Sequence, residues 1–337
     1  MLQDTLSTQM LLAIESELRM AIDKVDEPKL IGYHQMLAYH MGWEGEGAGP
    51  DATGKRIRPL LLLLTASAAG GEWVCALPAA ASVELVHNFS LIHDDIQDNS
   101  AMRRGRPTLW SKWGMPLAIN AGDAMYTLAY ISLLRLAETS DRTKTLQAVH
   151  ILQQACLELT KGQHRDISYE KSDDLTLDDY WPMVRGKTAA LLAACTELGA
   201  LTAGTDPSIQ EAYKEFGINL GMAFQALDDL LGIWGDIDLT GKSTDSDLIS
   251  GKKSLPVLYS LELDGAFADR WKQGPIEPSE VQLLANQLEI DGARDYTQET
   301  AACYTDKAIQ AINRAKPSGN AGRELIELAS KLLKRKL

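Results

Sequence analysis

Apolar residues along this chain recur every three to four positions, the spacing that places them on one face of an α-helix. Sustained alternation of apolar and polar residues, which would indicate β-strands, does not occur. The pattern therefore predicts an all-α fold. The predicted helices cover residues 5–25, 58–69, 78–98, 117–137, 143–167, 179–203, 208–232, 254–264, 278–290, 297–315 and 320–336.

The prolines agree with these helix boundaries, because proline is tolerated in the first helical turn, where the amides have no intrahelical partner. Five of them lie near predicted helix starts: Pro59, Pro78, Pro116, Pro207 and Pro278. The main predicted loops are residues 42–55, 104–116 and 235–253. No proline- or serine-rich linker divides the chain, so we expect a single all-α domain over residues 1–337.

Composition narrows the class of protein. The formal net charge of −13 argues against nucleic-acid binding, which needs a basic face. The four cysteines lack the spacing of a metal site and predict reduced thiols. The N-terminus lacks the features of a signal peptide, and the longest apolar run, 60–69, is shorter than the ~20 residues of a membrane span. We expect a cytoplasmic protein that is not an integral membrane protein.

Two acidic clusters end long apolar helices. Asp94 and Asp98 lie four residues apart and share a helix face, with Asp95 beside them, and Asp228 and Asp229 end a second helix. Carboxylates with open coordination positions suit Mg²⁺, which keeps waters and binds substrate phosphates. Each cluster alone is equally typical of a solvated helix end.

Basic residues accompany both acidic clusters, and Lys and Arg are the usual partners of phosphate groups. They are Lys55, Arg56, Arg58, Arg103, Arg104, Lys187, Lys242, Lys252 and Lys253. A single lysine on an apolar helix often only extends its amine to the surface. The grouping around two acidic motifs favours a diphosphate site.

Six stretches occur in the order that is typical of one enzyme family. They are "GKRIRP", "HNFSLIHDDIQDNSAMRRGRPT", "GQHRD", "GKTAALL", "FQALDDLLGIWGD" and "GK…D…GKKSLP". Through this ordered set, over roughly residues 30–265, the chain resembles trans-isoprenyl diphosphate synthases of the polyprenyl synthetase family. The resemblance implies a single-domain helical bundle of the isoprenoid synthase type with a central active-site cavity.

The resemblance also implies roles for individual residues. In the family, Asp94, Asp98 and the adjacent Asp95 would bind Mg²⁺ ions that hold an allylic diphosphate. Asp228, with Asp229 nearby, would hold a further ion. The resemblance implies three ions per site in total. Matches to allylic diphosphate contacts are Arg103, Lys187 and Lys242. Matches to the isopentenyl diphosphate pocket are Lys55, Arg58, His87 and Arg104. Further positions lining the site are Gln163, Asp166, Thr188, Gln225 and Lys252.

The chemistry implied by the resemblance needs no side-chain nucleophile. The allylic C–O bond ionises, the double bond of isopentenyl diphosphate attacks the allylic cation, and loss of a proton to the released diphosphate restores an alkene. Fixed cations and Mg²⁺ stabilise the charge that develops on the departing diphosphate.

Two residues before the first motif bear on product length. In the family, the positions five and four before the first aspartate set the depth of the product tunnel, and here they are Phe89 and Ser90. An aromatic residue at the fifth position alone, without an insertion in the motif, is associated with C20 products. The resemblance is therefore strongest to geranylgeranyl diphosphate synthases. A farnesyl or longer-chain synthase, with Phe89 an ordinary core residue, is the alternative.

The chain departs from the family pattern in its second motif, where Gly232 replaces the last aspartate and Asp236 follows only in the next loop. We expect activity to survive, because the family depends most on the first aspartate; the number of ligands on the third ion stays open. The basic C-terminal "KLLKRKL" is equally typical of a helix end.

Two other functions share parts of this pattern. A class I terpene cyclase uses similar metal motifs, but it needs no isopentenyl diphosphate pocket. An inactive regulatory subunit typically lacks the first aspartate motif, which is intact here. The resemblance also implies a homodimer, for which the apolar helix predicted at 117–137 is a candidate interface.

Overall fold

The structure, a computed structural model, describes residues 5–172, 174–235 and 247–333. Across these residues the fold is all-α, as the hydrophobic pattern predicts. The α-helices are α1 (Leu6–Ile22), α2 (Ile31–His40), α3 (Pro50–Thr53), α4 (Ile57–Ala68), α5 (Leu77–Gln97), α6 (Leu109–Trp113), α7 (Met115–Leu134), α8 (Arg142–Tyr169), α9 (Leu177–Val184), α10 (Ala190–Ala203), α11 (Pro207–Trp234), α12 (Leu255–Glu262), α13 (Ala266–Trp271), α14 (Val281–Ile290), α15 (Ala293–Ala315) and α16 (Gly319–Leu333).

The helical periodicity missed some short elements. In α2, four consecutive residues from Met36 to Tyr39 are buried, so the sequence shows no apolar stripe there. The predicted loop 104–116 contains α6 and one strand of a two-residue hairpin, β1 (Met102–Arg103) with β2 (Arg106–Pro107). The helix predicted over 179–203 is divided by a π-helical segment at Arg185–Ala189.

The chain divides into two compact units. The described residues of the first unit fall within 1–153, 195–210 and 316–325, and those of the second fall within 154–194, 211–315 and 326–337. Each unit has apolar packing of its own. The single domain expected from the sequence stays a prediction.

Helix α5 is at the centre of the first unit. It packs against α1, α4 and α7, and it buries side chains around most of its circumference. The five leucines from Leu60 to Leu64 in α4 are also buried. Burial of a leucine side chain contributes roughly 1.5–3 kcal/mol, so this packing fixes the helix that ends in the first aspartate motif.

Two apolar clusters form the core of the second unit. The first joins α9, α11 and α12 through residues such as Tyr180, Met222 and Leu258. The second surrounds Phe267 and Leu288. The first cluster packs directly beside the second aspartate motif, because Met222 and Asp228 share α11.

Two helical stretches among the described residues are long and apolar enough to cross a membrane by length and composition. They are Trp73–Gln97 and Met115–Glu138. Both stretches contain scattered polar residues, so a search for the longest uninterrupted apolar run, which is 60–69, misses them. In the first, 72% of the most apolar window is buried inside the protein, as in a core helix of a soluble protein, and in the second 44% is buried.

Backbones of α8 and the π-helical segment touch at Gly162. A Cβ atom at this position would lie 2.1 Å from the Lys187 amide nitrogen and 2.6 Å from the Gly186 carbonyl carbon. Because Lys187 and Asp166 lie on these two segments, the close approach allows their side chains to meet.

Replacement of Gly162 by alanine is therefore expected to overpack this crossing and lower the free energy of unfolding by about 1–3 kcal/mol. Gly32 is the matched control, since a Cβ atom at this position in α2 would meet nothing within 4 Å. Gly32→Ala should leave stability unchanged or raise it by up to about 1 kcal/mol. Urea denaturation followed by circular dichroism measures both, and equal effects would contradict the close approach.

Candidate active site

The first aspartate motif lies at the C-terminal end of α5. Asp94 is half-buried and Asp98 is the exposed C-cap residue, whose amide donates to the Asp94 carbonyl at 2.8 Å. The two residues are thus one turn apart, as predicted. The C-terminus of a helix carries partial negative charge, which disfavours carboxylates and favours cations. This end of α5 is therefore electrostatically suited to metal ions.

Asp95 has a different environment from its neighbours. It is 2% exposed, and its Oδ1 accepts a hydrogen bond from Arg103 Nε at 2.8 Å. Burial raises the pKa of the Asp95 carboxyl to about 6, against the opposing effect of Arg103. One Asp95 oxygen is therefore already engaged by Arg103. The role of Asp95 as a metal ligand stays a prediction.

Arg103 and Arg104 are presented by the short hairpin. Its turn, Arg104–Gly105, has positive φ angles of 52° and 72°, the conformation of a tight two-residue hairpin turn. Arg103 reaches Asp95, whereas Arg104 Nη1 donates to the Ala52 carbonyl at 2.9 Å. The hairpin thus sends two adjacent arginines to different parts of the first unit.

A basic group forms beside this hairpin. Arg58 Nη1 lies 3.1 Å from His87 Nε2. Burial lowers the pKa of His87 well below its ordinary value, and the positive charges of Arg58, Arg104 and Arg103 lower it further. His87 is therefore a neutral hydrogen-bonding group among cations. Lys55, the fourth predicted member, is exposed.

Gly54 explains why glycine precedes Lys55 in "GKRIRP". Its φ is +73°, and a Cβ atom there would lie 2.7 Å from Arg104 Cζ. Any other residue would push the Arg104 guanidinium away. The motif therefore couples the start of α4 to the hairpin arginine through direct packing.

Phe89 and Ser90 precede the first motif on α5. The Phe89 ring is half-buried, with its centroid 4.9 Å from that of His93 and 5.0 Å from that of Tyr126 on α7. Ser90 is buried and donates to the His87 carbonyl at 2.8 Å. The aromatic neighbours hold the Phe89 ring in place, whereas Ser90 adds no bulk.

In the second unit, Asp229 accepts hydrogen bonds at both carboxylate oxygens. Its Oδ2 accepts from Tyr180 Oη at 2.7 Å and from the Leu255 amide at 2.9 Å. Its Oδ1 accepts from Gln225 Nε2 at 2.9 Å and lies 3.5 Å from Lys252 Nζ. Asp229 is 1% exposed. A metal ion at Asp229 would compete with these donors, and the predicted role of Asp229 as a metal ligand stays a prediction.

Asp228 lines a cavity of about 200 Å³ in the second unit. Two predicted residues on its wall, Lys187 and Asp166, form an ion pair. A third, Thr188, donates to Gln225 Oε1 at 2.8 Å. The predicted site residues Asp166, Lys187 and Thr188 therefore lie together on the wall of the cavity that Asp228 also lines.

Lys252 lies between two carboxylates. Burial acts to lower its pKa, but Asp229 and Asp247 outweigh this effect and raise the pKa above its ordinary value. Lys252 therefore stays cationic and faces the same cavity as Asp228. Gln163 is buried on α8, three positions before Asp166.

Gly232, at the fifth position of the second motif, lies against Asp247. A Cβ atom at Gly232 would be 2.4 Å from Asp247 Oδ2, and the Asp247 amide donates to the Gly232 carbonyl at 3.2 Å. A carboxylate therefore occupies the space in which the side chain of the usual aspartate would begin. Asp236, Lys242 and the last four residues of the tail lie outside the described residues.

Sequence reasoning missed several residues of these surroundings. Tyr180 carried no motif, although a buried tyrosine needs a hydrogen-bond partner. Lys253, which the sequence groups with the phosphate-binding cations, instead donates to the Tyr169 carbonyl at 2.8 Å, at the end of α8. His40 Nε2 is buried without a partner among the described residues. Burial and the nearby Arg103 and Arg104 lower the His40 pKa to about 3.

Within residues 5–172, 174–235 and 247–333, no three acidic, histidine or cysteine side chains converge on a single metal position.

The hydrogen bond from Tyr180 to the buried Asp229 predicts a stability difference between two tyrosines. Tyr180→Phe should lower the free energy of unfolding by about 1.5–3 kcal/mol, since a bond to a charged group is lost. Tyr213 is equally buried, but its hydroxyl has no partner among the described residues. Tyr213→Phe should leave stability unchanged or raise it by about 1 kcal/mol. Thermal unfolding in matched buffers compares the two, and equal losses would contradict the assignment.

Comparisons with known proteins place this geometry in a family. The family described as Polyprenyl synthetase matches residues 49–283. The (2E,6E)-farnesyl diphosphate synthase of Mycobacterium tuberculosis is 38% identical over 332 residues, which are 96% of this chain and 90% of that protein. The geranylgeranyl diphosphate synthase of the same organism is 38% identical over 325 residues, 94% of this chain and 90% of the relative.

A solved structure has the same fold along nearly the whole chain. The polyprenyl synthetase from Streptomyces coelicolor A3(2) superposes with a TM-score of 0.86 at 35% identity, covering 97% of this chain and 98% of the other. Together with the family match and the relatives, this shows that the chain belongs to the polyprenyl synthetase family and is a trans-prenyltransferase.

Proposed function

We propose that this prenyltransferase condenses isopentenyl diphosphate head-to-tail with allylic diphosphates, with geranylgeranyl diphosphate as the product. The observation that carries the proposal is the basic group of Arg58, His87 and Arg104 in the same unit as the first aspartate motif. Its cations surround a neutral histidine, so this group can hold a diphosphate by direct charge interaction.

The carboxylates of the two motifs fit magnesium. Asp94 and Asp98 share one turn at the negative end of α5, and Asp228 lines a cavity that also contains lysines. These residues would hold the Mg²⁺ ions, three per site by the family resemblance. When bound, magnesium offsets the negative charge that develops on the departing diphosphate.

The chain's own residues perform the remaining tasks. In the first unit Asp95 holds Arg103, and in the second unit Asp166 holds Lys187, so each unit contains a fixed cation suited to an allylic diphosphate before substrate arrives. Such preorganised charges lower the barrier because they need not reorient as charge develops. Lys55, Arg58 and Arg104 hold isopentenyl diphosphate, whose double bond attacks the allylic cation. The released diphosphate takes the proton that restores the alkene.

The basic group also distinguishes this proposal from a class I terpene cyclase. Such a cyclase consumes no isopentenyl diphosphate and therefore does not need a second diphosphate-binding group. An inactive regulatory subunit is disfavoured by the intact Asp94 and Asp98. Incubation of the purified protein with Mg²⁺, labelled isopentenyl diphosphate and an allylic primer is the direct assay. Absence of label from any elongated diphosphate would refute the proposal.

Product length rests on Phe89. The relatives include proteins named farnesyl, geranylgeranyl and geranylfarnesyl diphosphate synthases, so membership of the family leaves the length open. Phe89 packs against His93 and Tyr126, which restricts the movement of its ring. A fixed aromatic ring little more than one turn before Asp94 supports a tunnel that ends at C20.

Wild-type protein supplied with dimethylallyl, geranyl or farnesyl diphosphate should therefore form a C20 product in each case. Phe89→Ala should extend the product by one or more C5 units, because removal of the ring deepens the tunnel. Ser90→Ala is the matched control on the same helix and should leave the length unchanged. Chromatography of the dephosphorylated products measures their length. A C20 product from Phe89→Ala would show that Phe89 does not close the end of the product tunnel.

We also propose that the protein is a cytoplasmic homodimer that associates through α7. Several large apolar residues of this helix are exposed in the single chain. They are Met115, Leu117, Ile119, Ile131 and Leu134, with exposed fractions of 41–54%. Burial of these side chains against a second copy would remove apolar surface from water.

Sedimentation equilibrium should accordingly report about twice the chain mass of 36.9 kDa. Ile131→Glu together with Leu134→Glu should shift the protein towards the monomer, because carboxylates would be buried at the interface. Leu283→Glu on α14 is the control, since Leu283 is also exposed but lies elsewhere. A monomeric wild-type protein would contradict the proposal.

A further inference from the structure

Arg56 lies between Lys55 and Arg58 in the sequence, but its side chain enters the protein interior. The residue is 4% exposed, whereas Lys55 is exposed and Arg58 half-buried. Arg56 Nε donates to Glu15 Oε1 at 2.6 Å, and Nη1 donates to Glu84 Oε1 at 3.0 Å. Because these nitrogens are engaged by protein oxygens, the guanidinium is held away from any diphosphate.

The contacts of Arg56 join three helices at one point. Glu15 belongs to α1 and Glu84 to α5, and Arg56 Nη2 donates to the carbonyl of Met41, the C-cap residue of α2, at 3.2 Å. We call Arg56, Glu15 and Glu84 the Arg56 triad. Each glutamate has a second donor, since Trp43 Nε1 donates to Glu15 and Asn88 Nδ2 donates to Glu84.

The triad holds an unfavourable backbone conformation. Arg56 has φ 46° and ψ 40°, the left-handed region that residues with a Cβ atom rarely adopt. It is also the N-cap residue of α4, so this conformation sets the angle at which Lys55 leaves the helix that carries Arg58. Strained backbone of this kind persists where the surroundings over-determine it.

Asn88 extends the connection to the basic group. It directly follows His87 on α5, and its side chain donates to Glu84, the same carboxylate that Arg56 contacts. Glu84 also exerts a favourable electrostatic effect on Arg58 and Arg104. The Arg56 triad therefore belongs to two of the three chain segments that supply the predicted isopentenyl diphosphate residues, those of Lys55 and Arg58 and of His87.

We propose that Arg56 is a positioning residue for isopentenyl diphosphate: the triad fixes the left-handed turn so that Lys55 and Arg58 are held ready for the diphosphate. The inference deepens the proposed function and rests on it. A residue that only supported the fold would affect both substrates equally when removed. A positioning residue affects the isopentenyl substrate selectively.

The test compares Arg56→Met and Arg56→Lys with Arg135→Met. Arg135 also pairs with a glutamate of α1, Glu17, but lies outside the substrate motifs. Arg56→Met should raise KM for isopentenyl diphosphate about 10- to 100-fold, the scale of a misplacement of ~1 Å, and change KM for the allylic substrate far less. Arg56→Lys should recover part of the loss, because one charged contact remains.

Stability is separated from positioning by a double variant. Arg56→Met with Glu84→Gln removes the uncompensated buried carboxylate and should restore much of the lost thermal stability, while the KM defect persists. If both KM values rise together, or if the defect disappears when stability returns, the inference is overturned. Arg135→Met should lower stability without changing the ratio of the two KM values.

A measurement without substrate distinguishes this inference from the proposed function. Amide hydrogen exchange over residues 54–58 should accelerate in Arg56→Met and stay as in wild type in Arg135→Met. Unchanged exchange in Arg56→Met would show that the triad does not order the turn. If wild-type protein fails to elongate any primer, the proposed function is wrong, and the exchange result still decides what the triad does.

Discussion

Burial of charge is the constraint on which the rest of this structure depends. A charged group inside an apolar helical protein is costly unless it is paired and hydrogen-bonded. Asp95 meets Arg103, Arg56 meets two glutamates, and Asp229 accepts from a tyrosine, an amide, a glutamine and a lysine. Each set of contacts fixes the position of a residue that we propose for the site, or of a neighbour of one. The same contacts that make the charges tolerable also give the sites their shape.

The two diphosphate substrates call for different chemistry, and the described residues provide both kinds. The end of α5 combines carboxylates with the negative pole of the helix, so it needs cations before it can hold an anion. The basic group around Arg58 and His87 already carries positive charge and can hold an anion directly. Helix α5 supplies residues to both, so the proposed metal-dependent and metal-independent recognition would use the same unit.

Much of this was predictable from the sequence, because long helices with regular apolar spacing, such as α5 and α11, leave little ambiguity. The ordered motifs also identified Arg58, Asp166 and Lys187, which the structure brings into contact with predicted partners. The rest depends on tertiary context. Arg56 looks like another phosphate ligand until its left-handed backbone and buried partners are seen. The difference in surroundings between Asp228 and Asp229 likewise depends on Tyr180, which donates a hydrogen bond to Asp229 and lies 49 positions before it.

The most direct measurement of the central claim is calorimetric titration of the wild-type protein with each substrate alone, with Mg²⁺ and with a chelator. We expect isopentenyl diphosphate to bind with similar affinity in both conditions, because guanidinium and ammonium groups hold it. We expect farnesyl diphosphate to bind tightly only with Mg²⁺. Loss of isopentenyl diphosphate binding in the chelator, or tight metal-free binding of the allylic diphosphate, would contradict this division between the basic group and the carboxylates.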